Sequence, residues 1–205
     1  MTKTPSPAPQ LRGPSDHDVR DQIIEAATEY FGLYGYEKTT VSDLAKAIGF
    51  SKAYVYKFFD SKQAIGEVIC SNRLSAIMAA VDEAIADVPS ASERLRRMFK
   101  TLVEASSQLF FNDRKLYDIA ATSASESWPS ARAYEEHLRG LVVQIVRDGR
   151  EAGEFERKTP LDEAVSAIYL VMRPYINPLL LQYNLDNAAE ATLQLSSLIL
   201  RSLAP

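Results

Sequence analysis

The chain has 205 residues, of which 46% are hydrophobic and 24% are charged. This balance is typical of a folded protein with a substantial core. The single cysteine, Cys70, excludes an intrachain disulfide, and one cysteine with two histidines is too few for a usual Cys/His zinc site. No apolar run approaches the ~18 residues that span a bilayer, and the N-terminus lacks a signal-peptide pattern. We therefore expect a cytoplasmic protein that needs no membrane, metal or cofactor.

The net charge of −4 does not by itself indicate a nucleic-acid partner. The distribution of charge is more informative, because the segment from Lys38 to Lys62 carries five lysines against two aspartates. Such a local excess favours contact with phosphates, although a run of charge is also what an ordinary solvated face looks like.

The first 15 residues are rich in proline and small polar residues, which predicts a disordered tail. We prefer this interpretation to a minor-groove arm carrying Lys3 and Arg12. Apolar residues at helical spacing then predict helices over about 16–34, 41–48, 52–59 and 62–86. The residue before each of these helices has a side chain that can cap it; the four predicted caps are Ser15, Thr40, Ser51 and Ser61.

The rest of the chain also has helical periodicity, with helices predicted near 92–111, 114–125, 130–152, 160–182 and 187–203. Pro174 and Pro178 fall inside the fourth of these segments and should kink or interrupt it. No strand pattern is visible, so we expect an all-α fold of about nine helices.

Two short helices joined by a tight turn at Gly49 are the signature of a helix-turn-helix. On a helical wheel, the apolar residues of the third helix share one side, and these are Val55, Phe58 and Phe59. The opposite side carries Ala53, Tyr56 and Lys57, with Lys52 and Tyr54 on its flanks. A small residue that permits close approach, beside hydroxyls and amines, suits the major groove of DNA.

The segment IIEAATEYFGLYGYEKTTVSDLAKAIGFSKAYVYKFFDSKQAI, residues 23–65, resembles the DNA-binding domain of the TetR family of bacterial repressors. Several motifs match at fixed spacing: Ala26-Ala27 with Phe31, Gly35-Tyr36, Thr40-Val41-Ser42-Asp43-Leu44-Ala45, Gly49-Phe50-Ser51, and Tyr56-Lys57-Phe58-Phe59-Asp60-Ser61-Lys62. Two positions depart from the usual pattern. Val55 replaces the more common Leu, and Tyr54 is bulkier than the usual Thr, Ser or Asn, so the operator should differ from those of better-known relatives.

The resemblance implies a role for each matching position. It places Thr40, Ser42 and Lys62 at phosphates, Lys52, Ala53 and Tyr54 at bases, and Tyr56 and Lys57 at the DNA backbone, while Ser51 begins the recognition helix. Each role has a structural alternative: Thr40 can serve only as a helix cap, Tyr54 can pack against the first helix, and Lys62 can simply be solvated.

The resemblance also implies two domains, a helix-turn-helix domain at 16–65 and a helical regulatory and dimerisation domain at 66–205. The eighth and ninth helices are the predicted contact of a homodimer that reads a palindromic operator. Stripes of Val165, Ile168, Tyr169 and Met172 on the eighth helix, and of Ala191, Leu195, Leu198 and Ile199 on the ninth, support this, although both can be ordinary core.

Aromatic residues and methionines in the regulatory half suit a small hydrophobic ligand, although such residues also form plain cores. The candidate ligand-binding residues are Phe110, Phe111, Tyr117, Trp128, Tyr134, Tyr169, Met172 and Tyr175. No nucleophile lies beside a base in the sequence pattern, so an enzyme is not expected. We predict a repressor that a mostly apolar ligand releases from its operator. The alternative is a DNA-binding architectural or protein-interaction factor without a ligand.

Overall fold

A computed structural model describes residues 16–205 of the chain. The predicted cap Ser15, and Lys3 and Arg12 of the tail, lie outside these residues. The described part contains ten α-helices, one short 3-10 helix at Leu185–Asn187 and no strand. The α-helices are α1 Asp16–Tyr34, α2 Val41–Ala47, α3 Lys52–Val55, α4 Lys62–Ile85, α5 Ala91–Asn112, α6 Arg114–Ser125, α7 Pro129–Glu151, α8 Leu161–Ile176, α9 Pro178–Leu181 and α10 Ala188–Ser202.

Local sequence explains where the early helices begin. Thr40 forms a capping box with Asp43, because the Asp43 backbone N–H donates to the Thr40 hydroxyl and the Asp43 carboxylate accepts from the Thr40 backbone N–H. The Ser51 and Ser61 hydroxyls accept from the backbone N–H groups of Tyr54 and Ala64. These three predicted caps are confirmed.

Two predicted helices are wrong in extent. The third is a single α-turn, because the Lys57 and Phe58 backbone N–H groups bond three residues back, as in a tighter 3-10 turn. The predicted helix at 160–182 ends at Ile176, and a separate α9 begins at Pro178. The interruption predicted at Pro178 is thus confirmed, and it gives ten α-helices in the described residues where about nine were predicted. Proline has no N–H to continue the ladder, and the residue before it avoids helical angles, as extended Asn177 does here. Pro174, in contrast, lies within α8.

Helix α4 is the central element of the fold and packs against α1, α5, α6 and α7. Its 24 residues include a window of mean hydropathy 1.3, so by length and composition it could cross a bilayer. Nine of its residues are buried in the protein, among them Ile65, Ile69 and Val81. A helix enclosed on several sides needs apolar residues around much of its surface, which accounts for this composition.

Candidate DNA-binding interface and regulatory core

Residues 52–59, which are α3 and the tighter turn that follows it, form the recognition turn, and this turn presents one face to the core and one to solvent. Val55 and Phe59 are buried in the core shared with Leu44 of α2. Lys52, Ala53, Tyr56 and Lys57 are all exposed. The separation into a buried apolar face and an exposed polar face, which the helical wheel predicted, is therefore present. Phe58 is the exception, since it is only half-buried.

The exposed face couples its lysines to its tyrosines. The ammonium of Lys52 lies 5.8 Å from the ring centroid of Tyr56, and that of Lys57 lies 5.5 Å from the ring of Tyr54. Both distances are within the range of cation–π attraction. The rings thus hold positive charge on the surface where an anionic partner would approach.

Tyr54 is half-buried and belongs to a row of three rings. Its ring packs edge to face with Phe50, at a centroid distance of 5.0 Å, and with Phe58, at 5.3 Å. The sequence allowed Tyr54 to pack against α1, whereas the two ring contacts of Tyr54 are with its near neighbours in the chain, Phe50 and Phe58. Such contacts fix the ring position and limit its rotamers.

The residues expected to contact phosphates differ in their exposure and in the hydrogen bonds that they already make. Ser42 is exposed, and the Thr40 hydroxyl donates to the Asp43 carboxylate at 2.6 Å in addition to its capping role. Lys62 is partly buried. Its ammonium donates to the Tyr36 carbonyl at 3.1 Å and lies 4.2 Å from the centroid of the Tyr36 ring. Lys62 is therefore not a simply solvated lysine.

Sequence reasoning missed Arg20, which joins α1 to the end of the recognition turn. Its guanidinium donates to the Phe58 carbonyl at 2.6 Å and lies 4.4 Å from the centre of the Phe59 ring. A carbonyl at the end of a helix carries partial negative charge, so a cation stabilises it. No sequence signal could have identified Arg20, because its hydrogen-bond partner lies 38 residues away in the chain.

The eight candidate ligand residues do not share one environment. Tyr117, Trp128, Tyr134, Tyr169 and Met172 are buried in the core. Phe110 and Tyr175 are half-buried. Phe111 is 70% exposed and contacts the ring of Phe110 at the surface. The structure therefore brings five of the eight into the interior and leaves Phe111 outside it.

Two of the buried tyrosines cap the break between α8 and α9. The Tyr134 hydroxyl donates to the Ile176 carbonyl at 3.0 Å, and the Tyr117 hydroxyl donates to the Pro178 carbonyl at 2.5 Å. Burial raises the pKa of both phenols, so both stay protonated as donors. Of the eight residues, Tyr134 also lines a cleft of about 270 Å³ between α4 and α7.

Trp128 lies where the helix-turn-helix meets the rest of the protein. Its ring packs on Tyr36, which follows α1, and against Gly66 of α4. Its indole N–H donates to the Glu126 carboxylate at 2.7 Å. Burial of the Tyr36 ring raises the pKa of its phenol to about 12. This buried contact of Trp128 with Tyr36 and Gly66, called the aromatic joint below, connects the helix-turn-helix to the rest of the chain.

The predicted dimer stripes lie mostly on the inner faces of their helices. Val165, Ile168, Tyr169 and Met172 of α8 are all buried within the single chain, and so is Ile199 of α10. These apolar residues therefore belong to the core. Helical periodicity alone cannot distinguish a helix face that packs in the core from one that packs against a second subunit. Two large apolar residues remain exposed: Leu170 of α8, at 60%, and Leu198 of the predicted α10 stripe, at 52%. Ala167, Val171 and Leu198 line one groove between α8 and α10.

Comparison with known proteins bears on both parts of the chain. Residues 23–68 match the bacterial regulatory proteins of the tetR family, and residues 91–195 match the tetracyclin repressor-like C-terminal domain. The HTH-type transcriptional regulator YhgD of Bacillus subtilis is 23% identical over 159 residues, which are 78% of this chain and 81% of the relative.

Two solved structures are similar across most of their length. The TetR family regulator PfmR of Thermus thermophilus is 27% identical, with a TM-score of 0.58 over 89% of this chain and 99% of PfmR. The Thermus thermophilus repressor FadR, solved with lauroyl-CoA, is 22% identical, with a TM-score of 0.64 over 91% of this chain and 95% of FadR.

A helix-turn-helix followed by a helical domain, with both parts matched, defines a class of DNA-binding transcriptional regulators. This chain belongs to the TetR family of that class. The expectations of an all-α fold, an N-terminal helix-turn-helix and a transcriptional regulator are confirmed.

Proposed function

We propose that this protein is a cytoplasmic repressor that binds a palindromic operator as a homodimer and is released by a small, mostly apolar ligand. The observation that carries the DNA-binding part is the exposed face of the recognition turn. It holds Ala53 for close approach beside two lysines and Tyr56, all solvent-accessible. Residues 16–65 form the reading domain in this proposal, and residues 66–205 form the regulatory and dimerisation domain.

The proposed DNA contacts divide by chemistry. Lys52, Ala53 and Tyr54 read base edges, with Tyr54 held in place by its neighbouring rings. Tyr56 and Lys57 grip the backbone. Thr40, Ser42 and Ser51 supply hydroxyls at helix starts, and Lys62 adds a charge there. Because Lys62 already binds Tyr36, its phosphate contact requires the ammonium to leave or share that carbonyl.

The dimer proposal rests on exposed residues of α8 and α10. Leu170 and Leu198 are large, apolar and more than half exposed. Burying both against a second copy would remove apolar surface from water, which favours association. A two-fold dimer then presents two recognition turns to successive major grooves.

The ligand proposal rests on the break between α8 and α9. Tyrosine hydroxyls hold the carbonyls on both sides of Asn177, so a ligand that displaced one hydroxyl would free the break to move. FadR of similar fold was solved with lauroyl-CoA. A ligand releases DNA only by as much as it prefers the non-binding state. A preference of ~3 kcal/mol would weaken operator binding about 150-fold.

The test begins with selection of bound fragments from random DNA, which should enrich a palindrome. Lauroyl-CoA and simple fatty acids are then titrated against the protein and against its operator complex. The proposal expects one compound to change Trp128 fluorescence and operator affinity at the same concentrations. A Tyr117→Phe variant, which cannot hold the Pro178 carbonyl, should respond at a different concentration. If a palindrome is enriched but no compound changes the fluorescence or the operator affinity, the ligand part of the proposal is wrong and the DNA-binding part stands.

One observation favours the alternative of a DNA-binding factor without a ligand. Trp128 is 2% exposed, and a Cβ added to Gly66 would lie 3.2 Å from its ring. The protein therefore has no space for a ligand between the indole and Gly66 in the described state. If the compound titrations fail, this closed packing is the expected explanation.

A further inference from the structure

A cleft of about 730 Å³ opens between α1, α2 and the first turn of α6. Its α1 side is aromatic and apolar. Tyr30 and Tyr34 lie with ring centroids 5.2 Å apart, and Leu33 lines the same cleft. Leu33 and Tyr34 are both more than half exposed. Large side chains exposed singly are common, but a concave surface that gathers several of them is typical of a binding site.

Three lysines also line the cleft, and one carboxylate opposes them. The lysines come from three places: Lys38 precedes α2, Lys46 lies on α2, and Lys115 lies on α6. The opposing group, Asp43, already accepts hydrogen bonds from the hydroxyl and backbone N–H of Thr40, and these lower its pKa. Asp43 therefore stays ionised, but the three lysines outnumber it, which leaves the cleft with an excess of positive charge.

Lys115 also contacts the end of α1. Its ammonium donates to the Leu33 carbonyl, near the end of α1. A carbonyl at a helix end holds an ammonium by charge as well as by hydrogen bonding. The bond joins a helix of the DNA-binding part to a helix of the regulatory part, so the charged wall of the cleft spans both.

We propose that this cleft binds a small aromatic anion, meaning a planar ring that carries one phosphate, sulfonate or carboxylate group. The lysines are suited to the anionic group and the paired tyrosines to the ring. A bare inorganic anion would leave the aromatic wall unused, and an uncharged ring would leave the lysines unused. The volume lies within the ~300–1,000 Å³ that small-molecule sites usually occupy.

The proposed site is separate from the ligand site proposed above, since none of the eight candidate ligand residues is among those lining this cleft. A ligand in the cleft would lie against residues of both parts, because Lys46 of α2 and Lys115 of α6 both line it. It would therefore fix the position of one part relative to the other. Ligand binding at this site can be measured without DNA, so the proposal does not depend on the repressor proposal.

The experiment titrates the full chain, without DNA, with 8-anilino-1-naphthalenesulfonate, whose emission rises on binding. Sodium sulfate and uncharged N-phenyl-1-naphthylamine test the anion and the ring separately. We expect saturable binding of the sulfonate at one site per chain. Lys38→Gln with Lys115→Gln should weaken it about tenfold, equivalent to about 1.4 kcal/mol. Tyr34→Ala should weaken it as well.

Two matched variants serve as controls. Lys100→Gln removes an exposed lysine of α5, and Tyr183→Ala removes a tyrosine that is 78% exposed beyond α9. Both should bind the probe as the wild type does. Circular dichroism checks that each variant is folded, and NMR of the tyrosine rings should show shifts for Tyr30 and Tyr34 on probe addition.

The proposal is overturned if the cleft variants bind the sulfonate as tightly as the controls do. It is also overturned if the shifted tyrosine signals belong to the core, such as Tyr117 or Tyr134. Loss of operator affinity in the lysine variants, with unchanged probe binding, would assign these lysines to the DNA backbone instead of a small molecule.

Discussion

The indole of Trp128 and the ring of Tyr36 pack edge to face, with centroids 5.7 Å apart and planes at 67°. Tyr36 belongs to the turn between α1 and α2, whereas Trp128 directly precedes α7. The same tyrosine ring has the Lys62 ammonium above it. This aromatic contact, which includes the start of α4, therefore helps to set the orientation of the DNA-binding part relative to the regulatory part, together with the packing of α1 against α4 and α6.

Gly66 leaves the space that this contact needs, so Gly66→Ala should disturb it. The added Cβ would lie 2.9 Å from the Tyr36 ring and 3.2 Å from the Trp128 ring. We expect a loss of about 1–3 kcal/mol in the free energy of unfolding, with a shift in Trp128 emission. Urea unfolding followed by fluorescence measures both.

Gly140→Ala is the control for that substitution. Gly140 is also inside a helix, but nothing lies within 4 Å of its added Cβ. Alanine is favoured over glycine in a helix interior, so this variant should gain up to about 1 kcal/mol. Equal stability changes in the two variants would show that the aromatic joint tolerates a methyl group.

Lys62→Ala should weaken binding to specific and random DNA alike. If Lys62 meets a phosphate, the slope of log affinity against log salt should fall by about one unit. Its bond to the Tyr36 carbonyl predicts a second effect, a lower thermal midpoint. Fluorescence anisotropy over a series of salt concentrations measures the slope. A lower midpoint with an unchanged slope would restrict Lys62 to the aromatic joint.

The double variant Leu170→Glu with Leu198→Glu should be a folded monomer. Both side chains are exposed in the single chain, so replacing them removes few core contacts, while the carboxylates oppose burial against a second copy. Light scattering measures the mass. Leu193→Glu is the matched control. Leu193 is 67% exposed on α10 but lines a groove with α5, away from α8. A double variant that stays dimeric would place the interface elsewhere.

Ile199→Glu would not be a fair test of the dimer, since Ile199 is 3% exposed. Burying a carboxylate there without a partner should destabilise the fold itself. Loss of dimer in such a variant would follow from unfolding, whichever surface forms the interface.

Glu154 should make stability depend on pH in the acid range. Its carboxylate accepts from the Ser92 and Ala91 backbone N–H groups and from the Ser90 hydroxyl at the start of α5. These bonds, led by that from Ser92, lower its pKa from 4.5 to about 2. A lowered folded-state pKa means that the carboxylate stabilises fully above pH 4.5, and that this contribution is lost as pH falls through about 2.

Glu154→Gln should therefore be less stable than wild type at pH 6, by about 0.5–2 kcal/mol as for loss of a helix cap. The difference should shrink by about pH 2.5, where the unfolded wild type has become protonated. Urea unfolding at the two pH values measures it. A difference that stays constant with pH would mean that shape, and not charge, accounts for the effect of Glu154.

The sequence predicted the helices well where local chemistry decides them. Caps such as Thr40 and Ser51 act within three or four residues, so their effect is readable in the sequence. The recognition face was also predictable, since Val55 and Tyr56 are neighbours whose sides differ by helical geometry alone. The extent of α3 was not, because both 3-10 and α turns fit the same residues at a helix end.

The sequence by itself determined the family, the all-α fold and the exposed residues of the recognition turn, because each depends on local spacing. Only the tertiary structure decided which apolar stripes are core and which remain outside, since Ile199 and Leu198 differ by one position yet face different surroundings. It also decided the partners of Lys62, Arg20 and Trp128. Those contacts join residues far apart in the chain, and a long-range contact depends on how whole helices pack rather than on their sequence.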